Sequence, residues 1–165
     1  MNKIEIKTLQ DFFDAVHRFN SLSGNLDDVE TAEELATRFK NQAKRVIEEA
    51  QEVIDGCEQW DEESVLDGVV DVVVTAFGLL QQASPYMNTI KAAELICQNN
   101  LEKFLYNPSE ELVMENIAYY VEQGEDVKAQ YLSVGEDIIV TLRRTEDNKI
   151  MKPKGFVPVS LKEIL

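Results

Sequence analysis

The sequence is short of the residues that stop helices and of positive charge. Its 165 residues include only seven glycines and four prolines, which argues against a disordered chain and favours a compact, largely helical protein. Sixteen basic residues stand against 31 acidic ones, a net charge of −15. Because nucleic acid and anionic membranes attract clustered Lys and Arg, we expect neither as a partner.

Cysteines and long apolar runs are scarce as well. Cys57 and Cys97 lack the spacing of a zinc site, so we expect two small buried thiols in a reducing compartment. The longest apolar run, from about Val69 to Leu80, is interrupted by Asp71 and is too short to span a bilayer. The first ten residues, MNKIEIKTLQ, lack the apolar segment of a signal peptide. We therefore expect a cytoplasmic protein.

Helical periodicity is what the chain has in abundance. Apolar residues recur at helical spacing in five segments, which we predict as helices: residues 9–22, 28–54, 64–82, 87–106 and 109–122. The third is apolar almost all round, which predicts a helix buried in the middle of a bundle.

The character of the sequence changes after Gly124. The segments VKAQYL and DIIVTLRR are rich in β-branched residues and flank a turn, which predicts a small antiparallel meander with KIMK as its last strand. We therefore expect an all-α core, a bundle of four to five helices in residues 1–123, followed by a C-terminal β extension in residues 124–165.

Acidic residues stand inside two of the predicted apolar helices. The second helix carries Glu48, Glu49 and Glu52, three or four residues apart. The third carries Asp67 and Asp71, four residues apart. Each group therefore shares one face of its helix, and the two faces can oppose each other if the helices are antiparallel neighbours.

These acids need a compensating charge if they are buried. The two aspartates are the only charged residues over residues 64–83, and an unpaired buried carboxylate costs several kcal/mol or takes up a proton. The simplest compensator is a divalent cation shared by the two helices, and an all-oxygen cluster suits Mg²⁺ or Mn²⁺. The alternative is a set of buried acids capped by side chains from elsewhere in the chain.

A third polar element lies in the predicted fourth helix. Asn100 and Lys103 are one turn apart, as an NxxK pair. Alone, such a pair is typical of a solvated helix surface. Together with two acidic helices, an amide and a cation supply what phosphate chemistry needs: metal ligands on one side and positive donors on the other.

These three elements together resemble a known family. An EExxE segment, a DGxxD segment about 15 residues later and an NxxK pair are similar to the all-α nucleoside triphosphate pyrophosphohydrolases, the superfamily of the MazG proteins, the phosphoribosyl-ATP pyrophosphohydrolases and the dimeric dUTPases. The resemblance covers residues from about 10 to 106. The tail DNKIMKPKGFVPVSL also resembles the C-terminal extension of the phosphoribosyl-ATP-pyrophosphohydrolase-like branch.

One position departs from the family. The usual signature is ExxE followed by ExxD, with Glu49, Glu52 and Asp71 matching three of its acids. Gly68 occupies the position of the fourth, and Asp67 stands one residue earlier.

The resemblance implies a fold and a reaction. The fold would be a MazG-like helical bundle, assembled as a homodimer or homotetramer, and the near-continuous apolar third helix agrees with an oligomeric core. The reaction would be Mg²⁺-dependent cleavage of a nucleoside triphosphate between its α and β phosphates. The implied roles are metal ligation by Glu49, Glu52 and Asp71 with Asp67 nearby, activation of water by Glu48 or Glu49, phosphate binding by Lys103, and phosphate or sugar binding by Asn100.

Two other functions stay open. One is phosphoribosyl-ATP hydrolysis, and the other is a noncatalytic helical binding protein that uses its metal structurally. Several other residues have two interpretations each. His17 is a satisfied or surface histidine or a base contact, and Trp60 anchors a loop or stacks on a nucleobase. Lys44 and Arg45 pair with acids one turn along their helix or hold phosphate. The basic tail residues form an exposed hairpin or reach a triphosphate or a neighbouring subunit: Arg143, Arg144, Lys152 and Lys154.

Overall fold

A computed structural model of the chain describes residues 5–164 and shows five helices with a three-stranded antiparallel sheet. In chain order the elements are α1 Leu9–Leu22, α2 Ala32–Gln59, α3 Glu62–Ala83, α4 Thr89–Leu101, β1 Phe104–Tyr106, α5 Glu110–Val121, β2 Val127–Val134, β3 Asp137–Arg144 and a short 3₁₀ turn, Lys162–Ile164. Over the described range no helix has both the length and the apolar character that crossing a membrane requires. The prediction of a helical protein with a small β meander is confirmed at this level.

The chain divides into two compact units, one ending at Thr89 and the next beginning at Ile90. The first unit contains α1, α2 and α3. The second contains nearly all of α4 and every element after it. The domain boundary predicted at residues 123/124 lies inside the second unit, where α5 packs against β2 and β3.

The turn between α2 and α3 is shorter than predicted. We expected Asp55–Gly56 to end α2, yet the helix continues to Gln59. Gly56 is buried within it because α3 passes so close that a Cβ would lie 3.0 Å from the Val65 side chain. Trp60 closes α2 in the left-handed conformation, φ 58°, and the Asp61 side chain caps α3 by accepting hydrogen bonds from two of its N–H groups.

The end of the predicted fourth helix is a strand. Residues 104–106 form β1, which pairs with β3 in the register Phe104↔Thr141, Leu105↔Val140, Tyr106↔Ile139. These apolar and aromatic side chains suit a pleated surface, and pairing with β3 overrides the helical periodicity before them. The predicted strand KIMK is not one of the three: Ile150 forms only an isolated bridge with Arg143. The β2–β3 hairpin is confirmed.

The first unit is an antiparallel α2–α3 hairpin with α1 packed on α3. Positions of close approach run in opposite directions along the two helices: Gly56 with Val65, Gly68 with Val53, and Gly78 with Gln42. The Phe13 ring of α1 lies on Phe77 of α3, with ring centroids 4.5 Å apart. The interior is unusually polar, because the buried side chains of this unit include three amides: Asn20, Gln42 and Gln82.

The expectation that α3 is buried is wrong for the chain by itself. Large apolar side chains of α2 and α3 are exposed: Ile47, Ile54, Leu66, Val69, Val70, Val73 and Leu80. Among the described residues α3 packs mainly against α2 and less extensively against α1. The all-round apolar pattern therefore describes a helix with an uncovered apolar face.

The second unit has its core between α5 and the sheet. Tyr120, Val127 and Leu142 form a buried cluster, with Ile117 and Met151 against it. Burial raises the pKa of the Tyr120 hydroxyl, which donates a 2.6 Å hydrogen bond to the carbonyl of Lys152. This core ties the C-terminal segment to α5.

Expectations about several single residues are also wrong. Cys57 and Cys97 are exposed free cysteines, not buried thiols. Trp60 is 92% exposed and so does not anchor its turn by packing. Over residues 5–164 neither Lys44 nor Arg45 forms an ion pair with the acids one turn along α2. Arg45 donates instead to the Gln42 side chain, at 3.3 Å.

Candidate metal and phosphate site

The α2–α3 hairpin brings the two predicted acidic segments side by side. Gly68 lies where the backbones meet, since a Cβ there would be 2.9 Å from the Val53 side chain and 3.4 Å from the carbonyl oxygen of Glu49. An acidic side chain at position 68 has no room. Asp67, one residue earlier, is exposed, so the departure from the family signature has a steric reason in this chain.

Glu49 is the electrostatic centre of the acidic group. Its pKa is raised, first by partial burial and then by the surrounding carboxylates, in the order Asp71, Glu52, Glu48 and Asp67. All four other predicted acids therefore lie within electrostatic reach of Glu49. The structure therefore brings together the five acids that the sequence spacing groups, and their role in metal binding stays a prediction.

The acids are less buried than we expected. Glu49 and Asp71 are half-buried, whereas Glu48, Glu52 and Asp67 are exposed.

No protein cation neutralises this group within residues 5–164. None of the five carboxylates forms an ion pair or accepts a hydrogen bond there. The alternative in which side chains from elsewhere cap the acids therefore finds no support in the described part of the chain.

Two cavities flank the acids near the hairpin turn. One, of about 200 Å³, is lined by Glu52, Asp55, Gly56, Gln59, Ser64 and Asp67. The other, of about 530 Å³, is lined by Asp61, Glu63, Ser64, Leu66, Asp67 and Val70. Ser64 and Asp67 border both cavities.

Asp55, Asp61 and Ser64 were missed in the sequence. Asp55 follows Glu52 by one turn and could have been found from that spacing. Asp61 was hidden by the prediction of a longer loop. Hydrogen bonds from the Ser64 hydroxyl and N–H, together with one from Glu63, lower the pKa of Asp61.

The donor set suits a hard divalent cation without forming a closed cage. Among residues 5–164 no three Asp, Glu, His or Cys side chains converge as a preformed metal site. Mg²⁺ does not require such a cage, since it is usually held by one or two carboxylates, waters and substrate phosphates. The carboxylates around Glu49 have no cation partner among the described residues, and the pKa of Glu49 is raised. Such a set of oxygen donors fits a Mg²⁺ ion that is bound partly by protein and partly by substrate.

Asn100 and Lys103 belong to the second unit. The fourth helix was predicted to include Lys103, but α4 ends at Leu101, so Asn100 lies in its last turn and Lys103 in the turn that follows. The Lys103 ammonium nevertheless donates a 2.7 Å hydrogen bond to the Asn100 side-chain oxygen. The amide N–H groups of Asn100 point to no protein acceptor within residues 5–164. The role of the pair in phosphate binding stays a prediction.

Comparison of the chain with protein-family models, with curated proteins and with solved structures finds no match. The function therefore has to be argued from the site itself.

The basic tail residues have partners inside the second unit. Lys154 forms a 2.6 Å ion pair with Glu115. Arg144 binds both carboxylate oxygens of Asp147, at 2.9 and 2.7 Å, which lowers the pKa of Asp147. Arg143 donates to the carbonyl of Asn148, and Lys152 lies over the ring of Phe156. These contacts favour a structural role for the tail.

Proposed function

We propose that the protein is a Mg²⁺-dependent nucleoside triphosphate pyrophosphohydrolase of the MazG-like type, cleaving between the α and β phosphates. The observation that carries the proposal is geometric: the packed helices α2 and α3 bring five carboxylates together with no cation partner among the described residues. The raised pKa of Glu49, caused by burial and by the four other carboxylates, agrees with that crowding. Uncompensated negative charge lowers the stability of the fold. The same carboxylates can bind the cation that a polyanionic substrate needs.

The metal ligands would come from both helices. Mg²⁺ held by Glu49, Glu52 and Asp71, with Asp67 nearby, would neutralise phosphate charge and polarise the phosphorus. Asn100 and Lys103 would donate to phosphate oxygens as an amide and a cation. Their donors complement an acceptor-rich triphosphate.

The attacking water needs a carboxylate that holds its proton. Glu48 and Glu49 are adjacent in sequence, and the crowding that raises the pKa of Glu49 favours uptake of a proton there. The water oxygen would bond to phosphorus as the bridging P–O bond breaks, and the carboxylate would take the proton. Pyrophosphate and a nucleoside monophosphate would leave.

The proposal includes assembly of the chain as a homodimer or homotetramer. The exposed apolar side chains of α2 and α3 are the natural surface for that contact.

The decisive experiment is product analysis. The protein is incubated with Mg²⁺ and each common ribo- and deoxyribonucleoside triphosphate, and with phosphoribosyl-ATP, and the products are separated. We expect monophosphate with pyrophosphate. Diphosphate with phosphate would contradict the proposed bond, and Mg²⁺ binding without turnover would favour the noncatalytic binding protein.

Site variants test the residues. Glu52→Gln and Asp71→Asn keep shape and remove charge, so turnover should fall by about a hundredfold or more while the helical circular dichroism is retained. Glu33→Gln is the matched control, because Glu33 is an exposed glutamate at the other end of the same helix. Full activity of both site variants would remove the acids from the mechanism.

A further inference from the structure

Strand β2 forms an open edge of the sheet in the second unit. The strand order is β1–β3–β2, so β2 pairs with β3 on one side only. Asp126, just before β2, accepts a hydrogen bond from the N–H of Thr145, just after β3. Because backbone groups point to alternate sides along an antiparallel strand, the odd-numbered residues of β2 direct their N–H and C=O groups away from β3. These outward groups have no partner within residues 5–164.

This edge lacks the features that usually protect a free strand. β2 is eight residues long, contains no proline and pairs with β3 without a bulge. Lys128 is its only charged residue. Natural proteins usually shorten, bend or charge an exposed edge, because a free edge can pair with another strand. At the other side of the sheet β1 is only three residues long, so β2 is the edge that can accept a long strand.

Apolar side chains are exposed along the same edge. In β2 the exposed fractions are 59% for Tyr131, 58% for Leu132 and 51% for Val134. Leu132 and Val134 lie on one face of the strand and Tyr131 on the other, because side chains alternate between faces. A strand added to β2 would therefore cover apolar side chains on both faces as well as the outward backbone groups.

Charge is unevenly distributed along the β2–β3 hairpin. Near its open end Lys128 lies directly opposite Arg143 in the strand register, and neither forms an ion pair within residues 5–164. Like charges in such a position destabilise a strand pair. The turn after β2 carries the exposed Glu136, which likewise has no ion pair there. A second hairpin that runs in the opposite direction would bring its acidic turn beside these two cations.

We propose that β2 pairs with β2 of a second copy of this chain, antiparallel about a two-fold axis at Leu132. In this register Lys128 lies opposite the partner subunit's Glu136, and the reverse pair forms at the other end. The outward groups of Tyr131 meet those of the partner subunit's Ser133. Among the registers in which outward groups meet, this one places an opposite charge beside each Lys128. The two three-stranded sheets become one sheet of six strands.

This contact is separate from the exposed apolar side chains of α2 and α3. It lies wholly in the second unit and does not depend on the proposed function, so a protein without triphosphate cleavage would still form it. One kind of two-fold contact builds a dimer, whereas two different kinds build a tetramer. The β2 edge therefore supplies the second contact that a homotetramer needs.

Disulfide cross-linking tests the pairing at its axis. The full-length protein with Cys57→Ser and Cys97→Ser receives one new thiol, Leu132→Cys, and is treated with a mild oxidant at micromolar concentration. The two copies of residue 132 face each other with Cα atoms about 4.5 Å apart, within disulfide reach. Gln130→Cys, exposed on the same face of β2, is the control, because its two copies lie about 13 Å apart. Leu132→Cys should give covalent dimer about tenfold faster or more. Similar rates, a faster rate at residue 130 or no covalent dimer would overturn the inference.

Charge variants of the cross-linking protein test the register. Lys128→Glu should slow the cross-linking of Leu132→Cys about tenfold, because two opposite-charge pairs become like-charge pairs. Its fold should not suffer, since a carboxylate opposite Arg143 is favourable within the chain. Adding Glu136→Lys should restore the rate. Lys149→Glu, exposed outside β2 and β3, makes the same change of charge and should have little effect. An unchanged rate with Lys128→Glu, or a slow rate that Glu136→Lys does not restore, would overturn the pairing.

Discussion

At Glu49, partial burial and four neighbouring carboxylates all favour the protonated form. The raised pKa means that the folded chain binds a proton more readily than the unfolded chain. Stability therefore falls as the pH rises from the unfolded to the folded pKa, and the loss is complete above the folded value. A carboxylate in this position weakens the fold at neutral pH unless a cation is present.

Glu49→Gln should therefore stabilise the metal-free protein. We expect the free energy of unfolding at pH 7 to rise by about 0.5 kcal/mol, the scale of like-charge pairs on a helix surface. The gain should disappear at pH values below the unfolded pKa. With excess Mg²⁺ the order should reverse, because only the wild type gains from binding. Urea unfolding at several pH values, with and without Mg²⁺, measures the gain at pH 7, its loss at low pH and its reversal by the metal. If the metal-free variant were less stable than the wild type, the Glu49 carboxylate would not be destabilising.

Gly68 shows what spacing alone could not reveal. The spacing of the acids predicted which side chains lie together, because helix periodicity is local. The reason for glycine at position 68 is not local: a Cβ would meet Val53 of the other helix at 2.9 Å and its backbone nitrogen at 3.2 Å. Such a contact depends on how closely two helices approach, which no pattern within one helix states.

Gly68→Ala should destabilise the protein in spite of its better helix propensity. Ordinarily glycine to alanine in a helix gains about 1 kcal/mol, but overpacking against a neighbouring backbone costs about 1–3 kcal/mol. We expect a net loss in thermal or urea unfolding. Lys40→Ala, at an exposed position of α2, is the control and should change stability less. A stabilised Gly68→Ala would mean that α2 and α3 are further apart.

Among the elements, those defined by local signals were the most predictable. The helices begin at capping residues such as Thr8, Thr31 and Ser109, whose side chains accept hydrogen bonds from the first turn. The β2–β3 hairpin follows from its β-branched segments. Strand β1 was mistaken for helix, because its three residues become a strand only through pairing with β3, more than 30 residues later.

The C-terminal segment is held to helices by side-chain amides that mimic a backbone. Asn99 donates to the carbonyl of Val157 and accepts from the N–H of Val159. Asn116, fully buried, accepts from the N–H of Lys154 at 2.6 Å and donates to Leu112. An extended segment with few strand partners is thus fixed through two asparagines.

Asn116→Ala should release this segment locally. Two hydrogen bonds are lost and the N–H of Lys154 loses its acceptor, so we expect a cost of about 1–3 kcal/mol. Amide hydrogen exchange should rise at Lys154 and its neighbours more than in α2 and α3. Asn99→Ala, at a less buried position, should act more weakly and nearer Val157. Uniform faster exchange across the chain would instead indicate global unfolding.

For the whole molecule, the sequence could not distinguish the inside of a chain from the inside of an assembly. An apolar helix face predicts burial, and α3 led us to expect the middle of a bundle. Within the chain that face is exposed, at 67% for Leu66 and 43% for Val73. Hydrophobic patterning indicates that a surface gains from burial, and it carries no information about what would cover that surface.

The uncovered face therefore yields the last prediction. In sedimentation or light scattering the wild type should be a dimer or tetramer at micromolar concentration. Val73→Glu with Leu80→Glu, both exposed on α3, should weaken assembly by about a hundredfold or more, because each buried charge costs several kcal/mol. Val157→Glu, 73% exposed in the second unit, should leave assembly intact. A monomeric wild type would contradict the proposed assembly. A dissociated variant that keeps its turnover would show that one chain holds the whole catalytic site.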